Sequence, residues 1–323
     1  MKQDKSKWIA FFTQQVATEK EKICSRYKNY KDQASAINQF INDIRDNSIR
    51  SLKAHSNELT QSELLDEILI ITYASYIVML DARNSVWPYE YMAFARRIGE
   101  LWEPFCKLPF EYPIKKLTII APPDFNEVQD TIKKDATNYI DSLKLDQETK
   151  DELKRHYAIP WTMVDSGGIK LGLDLHFEQD GIHYNCDFKS GFSSNEKGNT
   201  NRLLLVASIY NSLGEIEKTI LFVRQPEDDN NHYLQTLKNS PYWDVYCAND
   251  GYAAMKRFTG FDMREWLDNN VDWKNDISSE LREHLEKNDL LRVGLSIILD
   301  TIIKKFDRRK PFEGTHRTIV CST

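Results

Sequence analysis

The feature that most constrains this chain is the stretch from Ile169 to Leu213, where two alternating segments flank an Asp-Gly dipeptide and run on into an apolar helix. Between Ile169 and Glu178, Leu171, Leu173, Leu175 and Phe177 fall on one side. Gly172, Asp174, His176 and Glu178 fall on the other. A period of two is the mark of a strand with one face in the core and one toward solvent. Asp180-Gly181 supplies the pair of positive-φ residues that a type I′ hairpin turn needs. In the returning run Ile182, Tyr184, Cys186 and Phe188 are apolar, and His183, Asn185, Asp187 and Lys189 are polar.

The turn sets the register. With Asp180 and Gly181 as the loop, Gln179 pairs with Ile182, Leu175 with Cys186 and Leu173 with Phe188, so the two apolar faces coincide. Asp174 then lies across from Asp187, with Lys189 two residues further along the same face. Like charges directly opposite on adjacent strands, with Cβ atoms roughly 5 Å apart, destabilise a sheet. A divalent cation between them is the physical remedy, and Mg²⁺ favours one or two carboxylates together with water and phosphate oxygens. A lysine beside such a pair completes a metal-assisted phosphoryl site.

Asp174, twelve intervening residues and then Asp187-Phe188-Lys189 resembles the PD-(D/E)XK nuclease superfamily, which includes most type II restriction endonucleases. Leu173 stands where the family name has proline. The resemblance covers roughly Trp87 to Phe261, with a helix from Asn199 to Leu213 and a strand from Lys218 to Arg224 after the triplet. It implies an α/β restriction-endonuclease-like fold, an αβββαβ core with a mixed central sheet flanked by N- and C-terminal helices. It further implies Mg²⁺ held by Asp174, Asp187 and the Phe188 carbonyl, with Lys189 orienting or activating the attacking water. Members often carry a glutamate on the helix before the first core strand. Glu100 is the candidate here, ahead of Glu103 and Glu90. An exposed carboxylate paired with Arg96 or Arg97 at helical spacing is an equally good reading of Glu100.

Composition narrows the field. No apolar run reaches the roughly 18 residues of a membrane span, and the N-terminal segment has too short an apolar stretch for a signal peptide. Five cysteines are scattered without a CxxC pair, which suits reduced thiols in a cytoplasm and argues against structural zinc. Twelve glycines form no Gly-rich phosphate loop. A net charge of −6 runs against DNA binding, where phosphate neutralisation dominates affinity. Charge acts locally, however, and basic residues are grouped at Arg96-Arg97, Lys115-Lys116, Lys304-Lys305 and Arg308-Arg309-Lys310.

Along the chain, residues 1–86 read as an N-terminal helical region, 87–262 as the nuclease core with a helical insertion near 124–157, and 263–323 as a C-terminal helical region. Thr60 and Glu63 form a capping box ahead of a helix that is apolar nearly all round. Pro88 marks a helix start, and that helix is expected to stop before Pro104. Lys116–Ala121 reads as a short strand. Trp161–Val164 reads as the first strand of the sheet, with Ser166-Gly167-Gly168 turning into the hairpin. In the loop entering the next helix, Lys197, Asn199, Asn201 and Arg202 are candidate DNA contacts, since a helix N-terminus offers free N–H groups to phosphate. Two further helices, Ser278–Lys287 and Asp289–Phe306, close the chain.

The expectation is a sequence-specific double-stranded DNA endonuclease of the type II restriction class, cytoplasmic and homodimeric, because two cuts call for two sites. The alternatives are a catalytically inactive DNA-binding module of the same fold and a repair or transposition nuclease. A zinc hydrolase built on His176 and His183 has no compact ligand motif behind it.

Overall fold

In a computed structural model, which describes residues 5–162, 171–193 and 195–290, Asp180 and Gly181 adopt φ of 54° and 79°. The expected type I′ turn therefore forms. It joins β2 (Leu175–Gln179) to β3 (Ile182–Lys189) in the expected register, with Leu175 opposite Cys186 and Gln179 opposite Ile182. The chain is an α/β protein around a five-stranded mixed sheet of order β1-β2-β3-β4-β5. β1 (Thr118–Ile119) pairs antiparallel with β2, and β4 (Glu217–Val223) runs parallel to both β3 and β5 (Trp243–Cys247). Two parallel pairings demand two crossovers. They are supplied by α7 (Lys197–Ser212) and α8 (His232–Lys238).

Helices surround this sheet. α1 (Lys5–Arg26) and α2 (Tyr30–Ala54) pack on α3 (Gln61–Val86), whose start is fixed by the Thr60/Glu63 capping box and whose surface is buried nearly all round. α4 (Tyr91–Glu111) and α9 (Ala248–Thr259) cover one face of the sheet. There Phe177 stacks on Tyr184 at 4.9 Å and meets Phe110 at 5.2 Å and Phe258 at 5.3 Å. α10 (Met263–Asn270), the short α11 (Trp273–Asp276) and α12 (Ser279–Lys287) extend the same core toward α3. α5 (Phe125–Ser142) and α6 (Gln147–Thr162) form the expected insertion, and α5 rests on α7 through Phe125 and Val128.

Four expectations are corrected. Trp161 and Thr162 end a helix and do not begin a strand, and the edge position beside β2 is taken by Thr118–Ile119. Val164 and the Ser166-Gly167-Gly168 turn lie outside the described residues, as do Lys304-Lys305, Arg308-Arg309-Lys310 and the last helix beyond Leu290. α4 starts at Tyr91, after Pro88, and runs through Pro104 and Pro109. Each proline removes one backbone hydrogen bond, but the buried row of Phe105, Cys106, Leu108 and Phe110 keeps the segment helical. The first hairpin strand is shorter than its alternation: Leu171 to Asp174 precede the ladder, with Asp174 at a bend. Finally, the hairpin's polar face is not solvated away from the turn, because α7 folds back across it and buries His176, Asn185 and Asp187.

The aromatic face holds the strands in place. Phe177→Ala is expected to cost about 3–5 kcal/mol, read from urea unfolding. A loss under about 1 kcal/mol would mean that this face is not close-packed.

Candidate active site

The polar ends of β2 and β3 meet under the N-terminal half of α7. β3 stays in the ladder to Lys189, so Asp187 and Lys189 share the face turned to α7, while Phe188 points the other way onto Trp102 of α4, ring to ring at 5.8 Å. Asp187 is 1% exposed. Asp174 reaches the same place from its bend, and its Oδ2 accepts the Phe188 N–H at 2.7 Å. The sequence-predicted trio of Asp174, Asp187 and Lys189 is therefore brought together.

Two cations answer Asp187. The Lys189 ammonium contacts Asp187 Oδ1 and donates to the Phe188 carbonyl at 3.3 Å. Arg202, on α7, donates to Asp187 Oδ2 at 3.2 Å from a side chain left 43% exposed. The Lys189 contact is thus an ion pair to a carboxylate oxygen that is itself buried. Burial pushes the Asp187 carboxyl above the usual range. Lys189 pulls it back down, Asp174 adds to the rise, and Arg202 opposes it.

This donor set fits Mg²⁺. Asp174, Asp187 and the Phe188 carbonyl are hard oxygens at the same strand end, the donor chemistry this ion prefers. Among the described residues no group of three or more His, Cys, Asp or Glu side chains is placed to share an ion. The third protein ligand here would be a carbonyl.

Glu100 has other partners. Its Oε1 takes Arg96 at 2.7 Å and its Oε2 takes Arg97 at 3.3 Å. Glu103 likewise accepts from Lys107 at 2.7 Å. α4 nevertheless passes close to the strand end, since a Cβ on Gly99 would stand 2.6 Å from Ser190 Oγ, one residue beyond Lys189. At the start of α7, Lys197 and Asn201 are exposed, and Asn199 donates to Glu196 at 3.0 Å. Arg202, read from the sequence as a DNA contact, is also the counter-ion of Asp187.

Sequence reasoning missed a polar chain on this face. His176, expected at the solvated side of an alternating strand, is 5% exposed. Its Nδ1 lies 2.7 Å from Asn185 Oδ1, and its Nε2 accepts the Leu173 N–H at 2.8 Å. Asn185 Nδ2 donates to Glu217 at 2.7 Å, and Glu217 also meets His183 Nδ1 at 2.8 Å. Both His176 nitrogens are thus engaged by protein, which leaves no lone pair for zinc. Glu178 accepts the Gly181 N–H at 2.8 Å and so closes the hairpin turn. The signal for the chain was present in Asn185, two residues before Asp187 on the same face, but the acid that orients it comes from β4.

No family model, no curated protein and no solved structure matches this chain. Among the described residues no helix is long and apolar enough to cross a membrane.

Because burial raises the Asp187 pKa, its ionised form costs stability once the pH exceeds the ordinary carboxylate value, and the cost disappears as the pH falls below it. Asp187→Asn in EDTA at pH 7.5 is expected to melt at or a few degrees above wild type, with the gap closing toward about pH 4. A melting point lower by more than about 4 °C would show that the two ion pairs outweigh the burial.

Proposed function

We propose that this protein is a Mg²⁺-dependent endonuclease of the PD-(D/E)XK type, a type II restriction enzyme that cuts double-stranded DNA as a homodimer. The observation that carries the reading is the convergence of Asp174, Asp187, the Phe188 carbonyl and the Lys189 ammonium at the end of one hairpin. The order α4, β1, β2, β3, α7, β4 is compatible with the αβββαβ core of that superfamily.

Asp174, Asp187 and the Phe188 carbonyl would hold the ion. When bound, Mg²⁺ supplies Lewis-acid polarisation of the scissile phosphate and favours ionisation of water at neutral pH. Lys189 orients the attacking water and steadies negative charge building on the phosphorus centre. Its ammonium lies on Asp187 and the Phe188 carbonyl, two of the groups that would hold the ion, so it would shift off them toward the phosphate as the ion binds. Arg202, Lys197 and Asn201 present cationic and amide groups beside the site, where the free N–H groups of the α7 N-terminus add a favourable dipole for backbone phosphate. Asn199 steadies this turn through Glu196.

The test incubates the protein with mixed-sequence plasmid DNA in Mg²⁺ or EDTA. Discrete, EDTA-sensitive fragments are expected. A smear would indicate a structure-specific or repair nuclease, and a gel shift without cutting a binding module. Lys189→Ala is expected to lower cleavage by at least about 10²-fold while DNA retention persists, and cutting at the wild-type rate would overturn the site assignment. Lys197→Ala is expected to weaken retention evenly across sequences and to reduce the salt slope by about one. An unchanged slope would remove Lys197 from the interface.

A further inference from the structure

We propose that His176 is the positioning residue for Asp174, and that Glu217, Asn185 and His176 form a one-directional polar relay ending at the Leu173 N–H. The inference rests on the nuclease reading of Asp174 and goes beyond it.

The direction of each bond is fixed from the outer end inward. Glu217 is an acceptor, so Asn185 must turn its NH₂ toward it, at 2.7 Å, with a second contact from the same nitrogen to the Lys218 carbonyl at 3.3 Å. The Asn185 oxygen therefore faces His176, and Nδ1 of that ring must carry the proton. That choice leaves Nε2 with a lone pair, which accepts the Leu173 N–H at 2.8 Å. The parallel pairing of His183 with Glu217 supplies the acid at the head of the relay from β4.

The output falls where placement matters. The β2–β3 ladder stops at Leu175 opposite Cys186, so the backbone of Leu173 and Asp174 lacks the pairing that fixes the rest of the hairpin. The His176 ring closes that bend from three residues away, and the turned Asp174 carboxylate then takes the Phe188 N–H. Tyr210 of α7 caps the arrangement, with its ring against His176 and its hydroxyl donating to the Leu171 carbonyl at 3.0 Å. Burying His176 and Asn185 carries a desolvation cost that aliphatic residues would avoid. Second-layer hydrogen bonds of this kind hold metal-binding groups within the narrow limits that coordination requires.

The test measures Mg²⁺ binding by calorimetry without DNA, and the Mg²⁺ concentration for half-maximal cleavage. His176→Phe keeps the ring volume and removes both hydrogen bonds. It is expected to bind Mg²⁺ roughly 10–100-fold more weakly, with cleavage recovering toward wild type at saturating Mg²⁺. His176→Gln can donate to Asn185 and accept from Leu173, and is expected to restore binding to within about threefold. Glu217→Ala, at the better-hydrated end of the relay, serves if His176→Phe does not fold, and a several-fold weaker affinity is expected. Mg²⁺ affinity equal to wild type in folded His176→Phe or in Glu217→Ala overturns the relay, as does a His176→Gln variant no better than His176→Phe. Asp187→Ala is the separate control: if wild type binds Mg²⁺ no better than this variant, the nuclease reading itself falls and the relay with it.

Discussion

A carboxylate sealed under a helix is the constraint on which the site depends. Asp187 sits at the end of β3 with α7 across it, where an ionised group is tolerated only if cations and donors surround it. Lys189, two residues on and on the same face, is one answer. Arg202, in the second turn of α7, is the other. The crossover that places β4 beside β3 must therefore also deliver a guanidinium to the same spot, so the packing of α7 and the electrostatics of the strand end are one problem.

The sheet gives one face to close aromatic packing and the other to the polar groups under α7. Phe177, Tyr184, Phe188 and Phe222 face α4 and α9, and form a close-packed aromatic layer that fixes the strands. His176, Asn185, Asp187 and Lys189 face α7. Phe188 belongs to both: its ring lies in the aromatic layer, while its N–H and carbonyl serve Asp174 and Lys189. The backbone groups at the site are thereby anchored by burial on the far side of the sheet. Gly99 lets α4 approach the same strand end at Ser190.

What the sequence reveals here is what short-range geometry controls. The Asp180-Gly181 turn and the pairing register follow from two residues and a period of two, and both form as read. The Arg96 and Arg97 pairs of Glu100 follow in the same way from helical spacing. Alternation cannot tell whether a polar face meets water or a polar helix surface, so the burial of His176 and Asn185 was not legible. Nor was the identity of the edge strand. Thr118–Ile119 pairs across an insertion of two helices, and nothing local distinguishes it from the Trp161 segment. α4 continues past Pro104 because an apolar row on one side outweighs two missing backbone bonds, a balance set by tertiary packing.

The acidic balance of the chain takes on a different meaning at this site. Asp174 and Asp187 contribute two formal negative charges, and Lys189 and Arg202 two positive ones, so the cluster is neutral by itself. On the nuclease reading, a divalent ion held there would make the cluster doubly positive at the point where a phosphodiester must lie. Attraction for the nucleic-acid backbone at the catalytic centre would then depend on metal, while the net charge of −6 over the rest of the chain would oppose indiscriminate contact. Arg202 has a particular place in this balance. It is half-exposed, and on the nuclease reading a guanidinium no longer needed to neutralise Asp187 would be free to turn its fork toward a phosphate. On that reading an overall acidic protein would engage a polyanion at one metal-dependent spot.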